Sequence, residues 1–217
     1  DDLSAENWAD IYKKLVFWEM ELEKSADPSM KEVFLMQKAE ANVNFSKFIS
    51  QNYLKWMNGK SEKPLMSPDL FPKKVFPILK ESKEPLFFLL VDCLRYDQWK
   101  MFEEVLVEWF TIEESTYYSI LPTATQYARN SIFAGMYPAQ IASKYPKHWK
   151  DDDDDGGKNM HEADFLREQI VRNRLNIKHS YTKVITNDDG KAFADNVQNL
   201  MHNDLNAVVV NFIDLLS

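Results

Sequence analysis

Three stretches of this sequence carry side chains suited to chemistry on a phosphate. Asp92 closes the apolar run "LFFLLV" (residues 86–91), and Asp214 follows a second apolar run, "NAVVVNFI" (206–213). Between them lies "ILPTATQYARN" (120–130), with Thr123 and Thr125 beside a Pro-led helix start. Carboxylates at strand ends are hard oxygen ligands for a divalent cation. A helix N-terminus presents free N–H groups to phosphate-like anions, and a hydroxyl near a cation becomes a nucleophile at neutral pH. An Asp, a helix-initial Thr and a second Asp therefore suggest metal-assisted phosphoryl transfer. Plainer readings stand beside this one. Asp92 also suits a turn or cap, and "PTAT" suits a capped helix start that performs no chemistry.

The elements needed to bring these groups together are visible in the periodicity. Residues 5–58 predict two helices. Trp8, Ile11, Tyr12, Leu15, Trp18 and Leu22 form one stripe, and Val33, Ala41, Phe45, Phe48, Ile49 and Trp56 form the other. Asp27-Pro28 reads as a helix start and Asn58-Gly59 as a stop. Pro64, Pro68, Pro72 and Pro77 make residues 61–84 a connector that admits short helices at most. From residue 85 the pattern alternates. Strands are expected at 86–91, 110–119, 180–185 and 207–213, and helices at 94–108, 124–135, 161–173 and 189–202, with a loop over 137–160. Such alternation predicts an α/β domain with a mostly parallel sheet flanked by helices, preceded by a helical hairpin. Ligands in such sheets bind at the carboxyl ends of the strands, which is where Asp92 and Asp214 fall.

Composition limits the alternatives. The 217 residues are 45% hydrophobic, enough for a packed core. The apolar runs are far shorter than the ~20 residues a membrane helix takes, and the acidic start "DDLSAENW" is no signal peptide. Cys93 is the single cysteine, so no internal disulfide is possible, and a cytoplasmic location is expected. A net charge of −8 and the lack of a basic run argue against general duplex-DNA binding. Bound cations would still let an acidic protein take an anionic substrate.

"VDCLRYD" followed by "LPTATQYARNSIFAGMYP" resembles the alkaline phosphatase superfamily, through its nucleotide pyrophosphatase/phosphodiesterase pattern. The matching residues are Asp92, Arg95, Pro122, Thr123, Thr125, Asn130, Gly135, Tyr137 and Pro138. Within that superfamily the chain is similar to PglZ domains, in particular to the effector region of PorX-type response regulators of Bacteroidetes. The resemblance implies a helical linker (1–60), a connector (61–84) and the N-terminal part of a PglZ domain (85–217), behind an upstream receiver domain. It implies two divalent metals, Zn2+ in the family, and a nucleotide or oligonucleotide phosphodiester substrate. Asp92 and Thr125 would meet one metal, with Thr125 as nucleophile and Thr123 as its runner-up. Asn130 would hold a phosphoryl oxygen, Asp214 would begin the second metal's ligand set, and Arg95 and Arg129 would contact substrate. Cys93 stands where the family has Gly or Ala. The family's remaining ligands would follow Ser217, so this segment alone is expected to bind zinc poorly and to be almost inactive.

Other signals compete. "DDDDDGGKNMHE" (151–162) fits the EF-hand expression, but Lys158 occupies an apolar position and Pro146 the entering helix. The stretch also reads as a solvated acidic loop, or as a flap beside the active edge. His148, His161, His179 and His202 lack the i, i+4 spacing of a helical metal site and read as surface or packing residues. "VDCLRYD" lacks the second acid of a haloacid-dehalogenase motif, since Leu94 stands there. Two functions are therefore expected: a metal-dependent phosphodiesterase, or a non-catalytic signalling module that forms homodimers or docks a partner through its helical hairpin.

Overall fold

The computed structural model describes residues 3–24, 28–149 and 159–211. In chain order the helices are α1 (Ala5–Lys24), α2 (Pro28–Met57), α3 (Phe76–Glu81), α4 (Tyr96–Leu106), α5 (Thr125–Ala134), α6 (Pro138–Lys144), α7 (Glu162–Arg172) and α8 (Asn187–Asn196), and the strands are β1 (Leu86–Val91), β2 (His179–Val184) and β3 (Leu205–Val210). The chain divides into two compact units: Asp1–Pro64 with Leu94–Thr116, and Leu65–Cys93 with Tyr117–Ser217.

The first unit is helical. Ser4 and Asn7 exchange hydrogen bonds that start α1, with Asn7 N donating to Ser4 Oγ (3.1 Å) and Ser4 N to Asn7 Oδ1 (3.0 Å). Trp8 of α1 packs against Phe45 and Phe48 of α2, at ring separations of 5.5 and 6.0 Å. Gly59 follows α2 at φ +65°, the left-handed backbone that ends helices. The expected stripes are buried in part: Tyr12, Trp18 and Val33 stay exposed. The α4 helix, expected as part of the α/β region, belongs to this unit, and Met101, Phe102, Val105 and Trp109 on and just beyond it are exposed.

The second unit is a parallel sheet ordered β1-β3-β2, with Leu86 and His179 both in register with Leu205. Five of the six residues of central β3 are buried, as a parallel strand covered on both faces requires. Phe71, Val75 and Phe76, from the Pro-rich stretch, join Phe133 of α5, Phe165 and Leu166 of α7 and Leu205, Ala207 and Val209 of β3 in one core.

Two expected elements differ. No strand forms over 110–119: Tyr118 alone pairs there, in an isolated bridge to Met66. Glu114, in the middle of the stretch, is instead drawn to Lys13 and Lys100, which leaves no room for a ladder. The expected loop 137–160 contains α6, started by Pro138 in its first turn and anchored by fully buried Ile141.

Candidate functional site

The carboxyl edge of the sheet gathers the chemistry-bearing groups of the second unit. Asp92 N donates to Val210 O (2.9 Å), and Asn211 N donates to Val184 O (2.8 Å). Both side chains therefore leave their strands at the same edge. Arg129 of α5 reaches both, its Nη1 donating to Asp92 Oδ2 (2.9 Å) and to Asn211 Oδ1 (2.8 Å). The rest of the guanidinium grips Glu162 of α7 in a two-pronged fork, Nε to Oε1 at 2.7 Å and Nη2 to Oε2 at 2.6 Å. Tyr181 of β2 donates its hydroxyl to Glu162 Oε2 (2.6 Å), and Lys183 Nζ lies 3.8 Å from the same oxygen. One buried network thus joins all three strands to two helices.

Burial decides what this network is worth. The Arg129 and Glu162 side chains are 4% and 0% exposed. Burial works against the Arg129 charge, but its hydrogen bonds to Glu162 and Asp92 outweigh that and raise its pKa. Burial, with the Glu162 charge beside it, pushes the Tyr181 hydroxyl far up, so it stays a proton donor. Arg129 and Lys183 face Glu162 and Asp92, so the network pairs two cationic side chains with two carboxylates.

This arrangement bears on a cation at Asp92. The carboxylate keeps Oδ1 without a hydrogen-bond partner among the described residues, while Oδ2 is held by Arg129. A ligand carboxylate oriented through one oxygen and open at the other fits a divalent ion. Asp214, expected to begin the second ligand set, lies outside the described residues, as do Asp151–Asp155.

Thr125 opens α5, and Arg129 follows it by four residues. That spacing puts the two on one face, with Thr125 about 6 Å nearer the helix start. The N-cap is Ala124, which supplies no side-chain hydrogen bond, so the "PTAT" threonines do not cap the helix. Tyr127 N and Ala128 N both donate to Ala124 O at 3.0 Å, which closes the first turn of the helix. Thr123 is exposed and Thr125 half-buried. Asn130 is buried but sits five residues beyond Thr125, about 140° around the helix, so α5 brings Arg129 and not Asn130 to the threonine's face. Arg95 is in the helical unit, 64% exposed and clasped to Asp97 by bonds of 3.0 and 2.8 Å.

Glu162 is the last residue of the stretch that fits the EF-hand expression. Both of its oxygens are spent on Arg129, so it is no calcium ligand. The signal for its true place is its spacing: Glu162 shares the buried stripe of α7 with Phe165, Leu166, Gln169 and Ile170. An acid on an apolar stripe implies a buried partner.

Among the described residues, no helix is long and apolar enough to cross a membrane. No curated protein matches the chain. Residues 1–57 match the PorX response regulator linker domain. Residues 70–217 match the BREX system PglZ alkaline phosphatase-like domain. The pairing is that of a response-regulator effector region with a phosphatase-like fold. The chain belongs to the PglZ family of alkaline phosphatase-like domains, joined to a PorX linker domain.

Proposed function

We propose that the protein is the output region of a response regulator, with a receiver domain upstream, and that it hydrolyses phosphodiester bonds of nucleotides or oligonucleotides. The observation that carries this reading is the Asp92–Arg129 contact of 2.9 Å, with Thr125 one turn nearer the start of the same helix. It gathers a cation-binding carboxylate, a nucleophile and a helix N-terminus at one strand edge.

In this reading Thr125 Oγ1 gives its proton to solvent and attacks phosphorus, forming a new P–O bond as the bond to the leaving oxygen breaks. That oxygen takes a proton from solvent, and the phosphothreonine keeps the second ester group. Water then attacks phosphorus and releases the phosphomonoester and the free hydroxyl. The positive end of the α5 dipole offsets the charge that develops on the non-bridging oxygens. Arg129 is a positioning residue: it fixes Asp92 through Oδ2. Asp92, Thr125 and Asp214 are the groups that would hold divalent cations, Zn2+ by family, whose chemistry is to lower the hydroxyl's pKa and neutralise phosphoryl charge.

The test is hydrolysis of a bis-nitrophenyl phosphate diester by the full-length protein, with and without added Zn2+. Thr125→Val should lower zinc-dependent turnover at least ~10³-fold, while Thr123→Val leaves it within a few-fold. Loss with Thr123→Val alone moves the nucleophile to that residue. A second reading, a non-catalytic signalling module, draws on the exposed apolar side chains at α4 (Trp109 is 77% exposed). Diester hydrolysis by the unsubstituted full-length protein no faster than the metal-only background, with zinc present, would favour it.

A further inference from the structure

A second group of ligand-type side chains lies beside α7 and shares no residue with the Asp92–Arg129–Glu162 network. His148, His161 and Asp164 each offer a ligand atom, and these atoms all lie within 4.8 Å of one another. Among the described residues it is the one group of three His, Cys, Asp or Glu so placed. We infer that these three residues form a binding site for a borderline divalent transition metal of the Zn2+ type.

Three features of the cluster support this. The first is spacing. His161 Nδ1 and Asp164 Oδ2 are 3.2 Å apart. In a tetrahedral site with metal–ligand distances near 2.0–2.1 Å, neighbouring ligand atoms are about 3.3 Å apart. The second is an orphan. Among the described residues, His148 Nδ1 is shielded from solvent and has no hydrogen-bond partner. Buried polar atoms are rarely left so, and a bound cation would satisfy it. The third is the placing of the rings. The two imidazoles stack at 4.4 Å with planes 17° apart, against Tyr145 and Phe165, so packing holds both rings beside the Asp164 carboxylate.

The surroundings complete the case. Arg167 Nη2 donates to Asp164 Oδ1 (2.8 Å), which fixes the carboxylate and leaves Oδ2 turned to His161. That is the outer-shell support a metal-binding carboxylate usually has. His161 and Asp164 are about one-third exposed, so an ion can enter. The N-terminus of α7 is the wrong helix pole for a cation, and the Asp164 charge offsets it. Two imidazoles and one carboxylate suit Zn2+, Co2+ or Ni2+ rather than Mg2+ or Ca2+. They leave a fourth position for water.

The test is zinc content of the full chain after equilibrium dialysis against Zn2+. His148→Phe keeps the ring stack and removes the nitrogens. It should lose one equivalent of zinc, and Asp164→Asn should weaken that equivalent at least tenfold. Asp92→Asn should retain it. Zinc binding by His148→Phe equal to that of the unsubstituted protein would overturn the inference. So would loss of the equivalent with Asp92→Asn alone, which would assign the ion to the strand edge. A measurement independent of variant folding is Zn2+ titration of the unsubstituted protein followed by imidazole proton NMR. His148 and His161 should shift while His179 and His202 stay fixed, and the reverse pattern contradicts the site.

Discussion

The two units handle charge in opposite ways. In the helical unit Glu114 is a hub on a partly wet surface: it meets Lys13 at 2.5 Å, Lys100 at 2.9 Å and the Tyr96 hydroxyl at 2.9 Å, and the three charged side chains are 23–33% exposed. In the α/β unit Arg129 is a hub in a dry interior, with Glu162, Asp92 and Asn211 around it. Exposed pairs are screened, tolerate loss of a member and contribute little each. Buried pairs often contribute no more net stability than a well-packed apolar replacement, yet losing one member is severe. The Arg129 hub is therefore better explained by what it positions than by what it stabilises. It ties the end of β1 to α5 and α7, and so fixes Asp92 relative to Thr125.

The sharpest way to break this contrast is Arg129→Met. It strands Glu162 and Asp92 as uncompensated carboxylates and should destabilise the protein by about 3–5 kcal/mol, read as a fall in urea midpoint at unchanged slope. The double variant Arg129→Met/Glu162→Leu should recover much of that stability, because it removes the buried charge with its partner. If recovered stability came with recovered diester hydrolysis, Arg129 would have no positioning role. Next in size is Gly135→Ala, which tests the same interior without touching charge. Gly135 ends α5 at φ +57°, and a Cβ there would lie 2.0 Å from the Gln169 side-chain amide. That amide is fully buried and is oriented to donate to Phe133 O (2.7 Å). Neither partner can yield, and a loss of about 2–4 kcal/mol is expected from thermal or urea unfolding.

The helical hub should respond more mildly, and with pH. Partial burial favours the neutral form of Glu114, yet hydrogen bonds with Lys13, Lys100 and Tyr96 outweigh it and draw the carboxyl to about 2 from its ordinary 4.5. A depressed carboxyl stabilises the fold above its unfolded pKa and ceases to as pH falls through its folded one. This contribution is therefore whole above pH ~4.5 and fades towards pH ~2. Glu114→Gln should cost about 1–2 kcal/mol at pH 7, after allowance for solvent screening, and should flatten the stability profile across that acid window. An unchanged acid limb would mean that the hub stabilises nothing.

What could be read in advance followed local pattern. The strands expected at 86–91 and 207–213 and the Asp92 terminus were legible because strands of a parallel sheet read as continuous apolar runs, although only β3 is buried along its length. The start of α5 was legible from its Pro-led turn, and Thr125 came with it. The Arg129–Glu162 fork was not, because its members are 33 residues apart and no local rule pairs them; only the placement of Glu162 on an apolar stripe hinted at it. The run 110–119 reads as a strand from its aromatic and β-branched residues, but Glu114 is claimed by lysines of two helices. The His148–His161 stack was hidden for the same reason as the fork, since contact across 13 positions leaves no spacing signature. Short α6 was masked by its own Pro138, which signals a loop as readily as a helix start.

The smallest expected effect lies where the chain leaves the α/β unit. Cys93 is the last residue before the segment of the helical unit that carries α4. Its backbone sits at φ +60°, in the left-handed region where a side chain costs about 1–2 kcal/mol. The side chain is exposed, so packing does not repay that cost in full. Glycine removes the clash but adds freedom to the unfolded chain, which returns part of the gain. Cys93→Gly should therefore raise stability by about 0.5–1 kcal/mol, seen as a higher urea midpoint. Because Asp92 is the preceding residue, the same variant also tests whether strain at the junction holds the carboxylate in place. Greater stability with unchanged zinc-dependent turnover would leave that task to Arg129 alone. Greater stability with reduced turnover would show that the junction and the buried hub hold Asp92 jointly.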